Sequence, residues 1–425
     1  MTEGKQAPMS GSIMVVGGGI SGLTTALEAA EVGYEVFLVE QNPYLGGRVV
    51  QLNQYFPKLC PPTCGLEINF KRIKDNPRIK VFTLAEVETV DGTPGNYSVR
   101  VRIEPRYVNE NCTCCGECAK VCEMEISNEL NFGMDRIKGA YLPHEMAFPA
   151  RYVISPQIIG TDDAKKCKEA CPYDAVDLEM EPKTVDLKVG AIVWATGWKP
   201  YDAGRIDNLG YGRYPNIITN MMMERLAAPN GPTRGKIQRP SDDAAPKSVA
   251  FVQCAGSRDE NHLPYCSYIC CMASLKQATY IREQYPDTDV YVFYIDIRAP
   301  GQRYEKFYSR IKEDEKVHLI KGKVAEVEED PETKNITVVA ENAITGEKIR
   351  QTVDMAVLAT GMQPTAAKAK LPADLTYNAD GFIINDFEKG GMFAAGCANK
   401  PADVVSSNQN ATGMALKAIQ TLVSR

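Results

Sequence analysis

The chain has 425 residues, 44% hydrophobic and 24% charged, an ordinary composition for a globular protein of about two to three domains. A formal net charge of −6 argues against nucleic acid or an anionic membrane surface as a partner. Fourteen cysteines against three histidines, bunched rather than spread as staples, point to iron–sulfur ligation or thiol redox chemistry ahead of mixed zinc sites. Met1 to Gly11 is polar and is expected to be too short for a secretory signal. No stretch is expected to span a bilayer, since glycines and periodicity mark residues 11–30 as fold. Any membrane role then needs another subunit.

Ile13-Met14-Val15-Val16 reads as a strand entering Gly17-Gly18-Gly19-Ile20-Ser21-Gly22, and Leu23 to Val32 as the helix that follows. Gly33 breaks that helix, and Tyr34 to Val39 is a second strand closed by Glu40. In such a unit Gly17 makes the tight turn, Gly19 lets backbone approach a pyrophosphate, and Gly22 lets helix pack on strand. The helix N-terminus, with Ile20 and Ser21 in its first turn, offers free N–H groups to phosphates. Glu40, about twenty residues on, with Gln41 beside it, suits an adenosine ribose. Strand, turn, helix and acid in phase make this a dinucleotide site, where the glycines alone would be weak.

Gly46-Gly47-Arg48 comes next and resembles the Gly-Gly-Arg that two-domain flavoproteins place near the flavin pyrophosphate. Two strand-then-turn segments, ending Ala195-Thr196-Gly197 and Ala359-Thr360-Gly361, resemble those flanking the second dinucleotide domain of that class. Val87, after Glu86, stands where the class contacts adenine through backbone. Gly391 to Gly396 resembles its last strand, whose glycine turn meets the ribityl chain; the class has Asp next, and here it is Cys397. The resemblance implies FAD and an α/β fold of two dinucleotide-binding (Rossmann-like) domains of the thioredoxin/disulfide reductase type.

Tyr55 to Gly65 reads as a rigid loop presenting Cys60 and Cys64, either as a dithiol that reacts with flavin or as support for a metal centre or the fold. Residues 66–104 read as a short helix and two or three strands. Residues 106–183 then break the pattern. Cys112-x2-Cys115-x2-Cys118-x3-Cys122 has ferredoxin spacing, and Cys171-Pro172 is its distant partner. The second register reads Thr161, Ala164, Cys167, Cys171, so two ligands of a second cluster are missing. The expectation is a ferredoxin-like α+β insert with one [4Fe–4S] cluster on Cys112, Cys115, Cys118 and Cys171. Cys122 and Cys167 are left over, with a close approach of the two left open, and Cys114 has no role. A metal-free insert and a zinc ribbon stay open.

Residues 227–247 carry four prolines and two glycines and read as a surface linker, with Met221-Met222-Met223 before it as packing. Ser248 to Gln253 is the expected first strand of the second domain. A nicotinamide site needs a glycine turn after it, yet the chain reads Cys254-Ala255-Gly256-Ser257-Arg258. A helix is expected from Pro264 to about Tyr285, putting Cys266 and Cys270 on one face, with Cys271 adjacent. Cys254 would face them from the strand's carboxyl end, so four thiols converge on a second [4Fe–4S] site; buried free cysteines are the alternative. Lys323 to Thr352 reads as a small antiparallel sheet, and a loop from Ala398 leads to a helix starting near Asn410 that points its N-terminus at the flavin ring.

Cys-Ala-Gly-Ser-Arg-Asp from Cys254, Pro-Tyr-Cys-Ser-x-x-Cys-Cys-Met from Pro264, Tyr294 to Arg298 and Gly396-Cys397-Ala398 together resemble the A-type subunits of heterodisulfide reductases. The compact length and Cys60-Pro61-Pro62-Thr63-Cys64-Gly65-Leu66-Glu67-Ile68-Asn69-Phe70 resemble the A-type subunits of quinone-interacting membrane-bound oxidoreductases. The resemblance implies an FAD electron-transfer subunit whose Cys254, Cys266, Cys270 and Cys271 hold a cluster near the flavin. It implies a cytoplasmic protein, peripheral on the inner membrane through its partners. Those partners would be adenylylsulfate reductase, a second flavin/iron–sulfur subunit, and a membrane haem/quinone subunit. The expected segments are 1–105 and 184–247 for FAD, 106–183 for the insert, 248–355 for the second domain, and 356–425 for FAD again. No residue is singled out as catalytic.

Overall fold

The computed structural model describes residues 10–56 and 58–423. Most of the stretch read as too short for a signal, and Pro57 of the cysteine loop, lie outside the described residues. Five parallel strands form the first sheet, in the order Met392–Ala394, Ala191–Trp194, Ser12–Val16, Glu35–Glu40, Ile79–Thr83. Ser12–Val16 is an almost unbroken apolar run because both faces of a central parallel strand are covered. The helix Ile20–Glu31 buries Leu23, Leu27 and Ala30, spaced for one helical face, in a core shared with Ala411, Ala418 and Leu422 of the C-terminal helix Val404–Val423. Each such leucine contributes about 1.5–3 kcal/mol relative to exposure.

The sheet's other face, with Met14, Phe37 and Trp194, is covered by antiparallel strands Ala85–Thr93, Asn96–Ile103 and Lys183–Val189. Ile103 pairs with Lys183, so residues 104–182 stand where a hairpin turn would be, and the sheet needs no break to accept them. That insert has two helices, Glu117–Val121 and Asp162–Glu169, two short ladders, and a small core of Val108, Ile154, Ile158 and Ala164 with Cys118, Cys122 and Cys167. Thr161 caps its longer helix and Asp162 and Asp163 follow, placing acid at the positive dipole end.

The second parallel sheet runs Ile217–Thr219, Met355–Thr360, Ser248–Ala255, Asp289–Tyr294, Val317–Lys321, and the antiparallel strands Val324–Glu329, Ile336–Glu341 and Lys348–Val353 flank it. Several expectations need correcting. Ile217–Thr219 and the helix Asn220–Ala227 belong with this sheet rather than with an FAD segment 184–247, and so does Met355–Thr360, expected largely in 356–425. A three-residue strand carries too little pattern to be read. The proline-rich stretch is no free linker: Ile237 is fully buried in the core with Ile218 and Phe251, and Arg239 donates to the Thr333 carbonyl. The helix expected from Pro264 begins at Cys270, and the one expected near Asn410 begins at Val404, where Asp403 accepts from the Ser406 N–H at 2.7 Å.

Candidate functional site

A cavity of about 730 Å³ runs from the first dinucleotide turn to the second domain. The turn is held by the second strand, with the Gly17 N–H on the Val39 carbonyl at 2.7 Å and the Gly18 N–H on Glu40 Oε2 at 2.6 Å. Gly17, Gly19, Ile20 and Ser21 line the cavity, as do Glu40, Gln41, Gly47, Arg48 and Val87. Ala195, Thr196, Gly197 and Cys397 complete the wall expected from the sequence. Gly22, Gly46, Gly361 and Gly396 do not line it. They permit close packing instead: a Cβ on Gly22 would fall 1.8 Å from the Gly17 carbonyl oxygen, and one on Gly361 2.2 Å from Ser257 Oγ. The Gly46 N–H bonds the Gly18 carbonyl, and the Gly396 N–H bonds Asn410 Oδ1.

Glu40 is buried, which raises its carboxyl above the usual range, and N–H groups of Asn42 and Gly18 oppose that rise. Its Oε1 takes both the backbone and the side-chain N–H of Asn42. Arg48 is held by the Trp198 carbonyl and Gln51 Oε1, and burial lowers its pKa. Trp194 Nε1, Thr196 Oγ1 and Gln277 Oε1 are buried wall atoms with no hydrogen-bond partner among the described residues. Unpaired buried donors and acceptors are costly unless a ligand or water meets them, so the wall suits a polar nucleotide such as FAD.

The second-domain wall holds an ion pair that sequence reading missed. Glu224 and Lys276 are 1% and 4% exposed and stand 3.0 Å apart. Glu224 also accepts from Gln277 Nε2, the Tyr280 hydroxyl and the Asn53 N–H, and Lys276 donates to the Gln54 carbonyl. Two charges in a buried region survive only with such partners. Lys276 follows Leu275 on a mostly buried helix, so periodicity gave no signal for it.

Cys270 lines the same cavity. It opens the helix Cys270–Gln284 with Cys271 beside it, while Cys254 sits at a bulge of its strand with left-handed backbone, φ 57°. Cys266 lies in the preceding loop, not on the helix face expected for it, and its Sγ accepts from the Tyr268 N–H at 3.3 Å. Cys270 Sγ donates to the Thr360 carbonyl and Cys271 Sγ to that of Asp296. Burial and the facing thiols push Cys254 up to about 11 and Cys270 well above the usual thiol range, and burial also raises Cys271. Cys254 thus feels Cys266 and Cys271, and Cys270 feels all three of the others. A single zinc would draw its sulfurs to about 2.3 Å from one point. Among the described residues no three His, Cys, Asp or Glu side chains gather closely enough to hold one ion. Cysteine thiolates are the ordinary ligands of iron–sulfur clusters.

In the insert, Cys112, Cys115, Cys118 and Cys171 line a separate cavity of about 20 Å³ with Gly116, Tyr152 and Val176. Burial pushes Cys118 up to about 12, and Cys112, Cys171 and Cys115 add to it. Cys122 and Cys167 face each other behind this set, and Cys167 Sγ donates to the Cys118 carbonyl at 3.3 Å. Cys114 has left-handed backbone, and burial, with Cys112 beside it, raises its thiol. Cys60 and Cys64 do not line the large cavity; Tyr55, whose phenol is held up by burial and by both thiols, stands between. Among the described residues, no helix is long and apolar enough to cross a membrane.

Residues 15–79 match the NAD(P)-binding Rossmann-like domain family. The whole chain is similar to the second A-type iron-sulfur subunit of the CoB–CoM heterodisulfide reductase of Methanopyrus kandleri, 40% identical over 97% of this chain and 64% of that protein. It is 36% identical to the A-type subunit of the H(2):CoB-CoM heterodisulfide,ferredoxin reductase of Methanothermobacter thermautotrophicus, over 99% of this chain and 65% of that protein. The chain thus spans between about half and just under two thirds of the length of the curated relatives it matches. Thioredoxin reductases of T. acidophilum and Lactococcus lactis share the fold, at TM-scores of 0.53 and 0.52 and 13% identity, over 97% of this chain and 97% and 99% of theirs. The α/β fold is that of this flavoprotein group.

Proposed function

For a chain that is like the A-type subunits of heterodisulfide reductases over nearly its whole length, we propose an oxidoreductase: an FAD-containing electron-transfer subunit that relays electrons between flavin and [4Fe–4S] clusters. One observation carries this reading. A single cavity is walled at one end by the dinucleotide turn and at the other by Cys270 of a four-thiol set. FAD exchanges electrons in pairs or singly and an iron–sulfur cluster singly, so the two together divide a pair into single steps.

The chain's own residues have separable tasks. The N–H groups at the start of Ile20–Glu31 and the Arg48 cation would receive the pyrophosphate, and Glu40 and Gln41 the adenosine end. Cys254, Cys266, Cys270 and Cys271 would hold one cluster, and Cys112, Cys115, Cys118 and Cys171 another. The finer proposal is a membrane-associated, quinone-interacting complex exchanging electrons with adenylylsulfate reductase, in which other subunits, including a haem/quinone one, supply the membrane contact. The names of the relatives favour a second reading equally, a heterodisulfide reductase-type complex, for which flavin-based electron bifurcation is the proposed chemistry. A stand-alone NAD(P)H disulfide reductase is disfavoured by Cys254 to Arg258, where a nicotinamide turn needs glycines, and by cysteines 60 and 64 lying off the cavity wall.

Anaerobic stopped-flow mixing of the flavin-loaded protein with NADH and NADPH tests the class. The expected result is no rapid flavin bleaching by either, and rapid bleaching would move the chain to the disulfide reductases. Comparing adenylylsulfate reductase with a heterodisulfide-reducing partner as electron acceptor then separates the first two readings.

A further inference from the structure

Arg258 stands where the thiol set of the second domain meets solvent. It follows Cys254 by four residues, and both have left-handed backbone, at φ 57° each, a conformation that side-chain-bearing residues hold only where the surroundings insist. Here they do: the Ser257 N–H bonds the Cys254 carbonyl, the Arg258 N–H bonds the Tyr265 carbonyl, and the Leu263 N–H bonds the Gly256 carbonyl. The guanidinium is thereby turned onto Asp296, with Nη1 to Oδ1 at 2.5 Å. Asp296 in turn accepts from Cys271 Sγ through its own carbonyl. The ion pair thus ties the Cys254 loop to the Cys271 side of the set. Its partners are 27% and 45% exposed, and neither lines the large cavity that Cys270 borders.

We propose that Arg258 and Asp296 are opposed tuning residues for the reduction potential of the cluster held by Cys254, Cys266, Cys270 and Cys271, the arginine raising it and the aspartate lowering it. The inference rests on that reading of the thiol set. Adding one electron to a cluster adds one negative charge, which a facing cation stabilises and a facing carboxylate destabilises. Arginine keeps its charge at any working pH, so the effect is electrostatic rather than a proton transfer.

The test is an EPR-monitored redox titration of the anaerobically purified, flavin-loaded full chain, with iron, sulfide and flavin contents measured in parallel. Arg258→Gln is expected to make this cluster harder to reduce, by roughly tenfold in the equilibrium constant, about 59 mV for a one-electron step. Asp296→Asn is expected to make it easier to reduce, and Arg258→Lys to stay near the unmodified protein. Opposite signs are what a merely structural ion pair would not produce. Unchanged potentials, or a fall with Asp296→Asn, overturn the proposal. If Arg258→Gln cannot assemble the site, the rise with Asp296→Asn still decides. If the unmodified chain holds no cluster that Cys254→Ser removes, the premise falls and the proposal with it, a failure told apart by cluster content alone.

Discussion

Two cysteine sets occupy this molecule, and they are built in opposite ways. In the insert, three of the four thiols come from one stretch of seven residues, Cys112 to Cys118, a loop running into a helix start, and only Cys171 arrives from elsewhere. In the second domain the four come from a strand bulge, a loop and a helix start, at the carboxyl end of a parallel sheet. The local set closes its own cavity and leaves Cys115 exposed; the assembled set borders the large cavity through Cys270. The difference teaches that proximity to the dinucleotide site comes from the sheet, since open α/β sheets place ligands beyond their carboxyl ends. A ferredoxin-like loop can be carried on any surface hairpin.

The sharpest way to break this comparison is to remove one thiol from each set. Cys270→Ala is expected to abolish the iron held beside the cavity and spare that of the insert, and Cys118→Ala to do the reverse, with flavin retained in both. Iron and acid-labile sulfide per chain, with EPR, check it; an undiminished cluster count in Cys118→Ala removes the insert from the account. Next in size is the buried pair that walls the cavity. Glu224→Gln leaves Lys276 charged and unpaired in a region only 1–4% exposed, and is expected to cost about 3–5 kcal/mol in urea unfolding. If the insert is energetically separate, its cluster spectrum stays unchanged in that variant.

The smallest effect concerns the contact between the two regions. Arg225 of the second domain is fully buried and reaches Asn131 of the insert at 2.7 Å, and His144 of the insert stacks edge-on against Tyr44 of the cavity wall. Burial, with the Arg225 cation beside it, lowers His144 to about 4 from its usual 6.5. Between those values the unfolded chain binds more protons than the folded one, so stability rises with pH over that window and falls as pH drops through it. His144→Gln is expected to flatten the slope of unfolding free energy between pH 4 and 6.5, measured by denaturant titration at several pH values. An unaltered slope would remove His144 from this contact.

The residues that could be read directly are those whose meaning is local. Gly17 to Gly22 with Glu40 announces a dinucleotide turn because strand, turn and helix are contiguous, and Cys112 to Cys118 announce ferredoxin-type spacing because their interval is short and local. Other assignments depend on where distant segments meet. Gly361 and Gly396 match a flavoprotein pattern yet serve packing against Ser257 and Ser21, a distinction that only neighbours reveal. The spacing of Cys266 and Cys270 predicts one helix face, but the chain turns left-handed at Tyr268 and the helix starts only at Cys270, so Cys266 stays in the loop before it. Glu224 and Lys276 lie 52 residues apart and become a pair only once their helices pack across the second sheet. Sequence alone determined where the dinucleotide and thiol motifs stand, since residue type and short-range spacing are covalent facts. Tertiary structure decided which thiols border the cavity and which charges face them, because burial and long-range pairing exist only after the two sheets have closed around it.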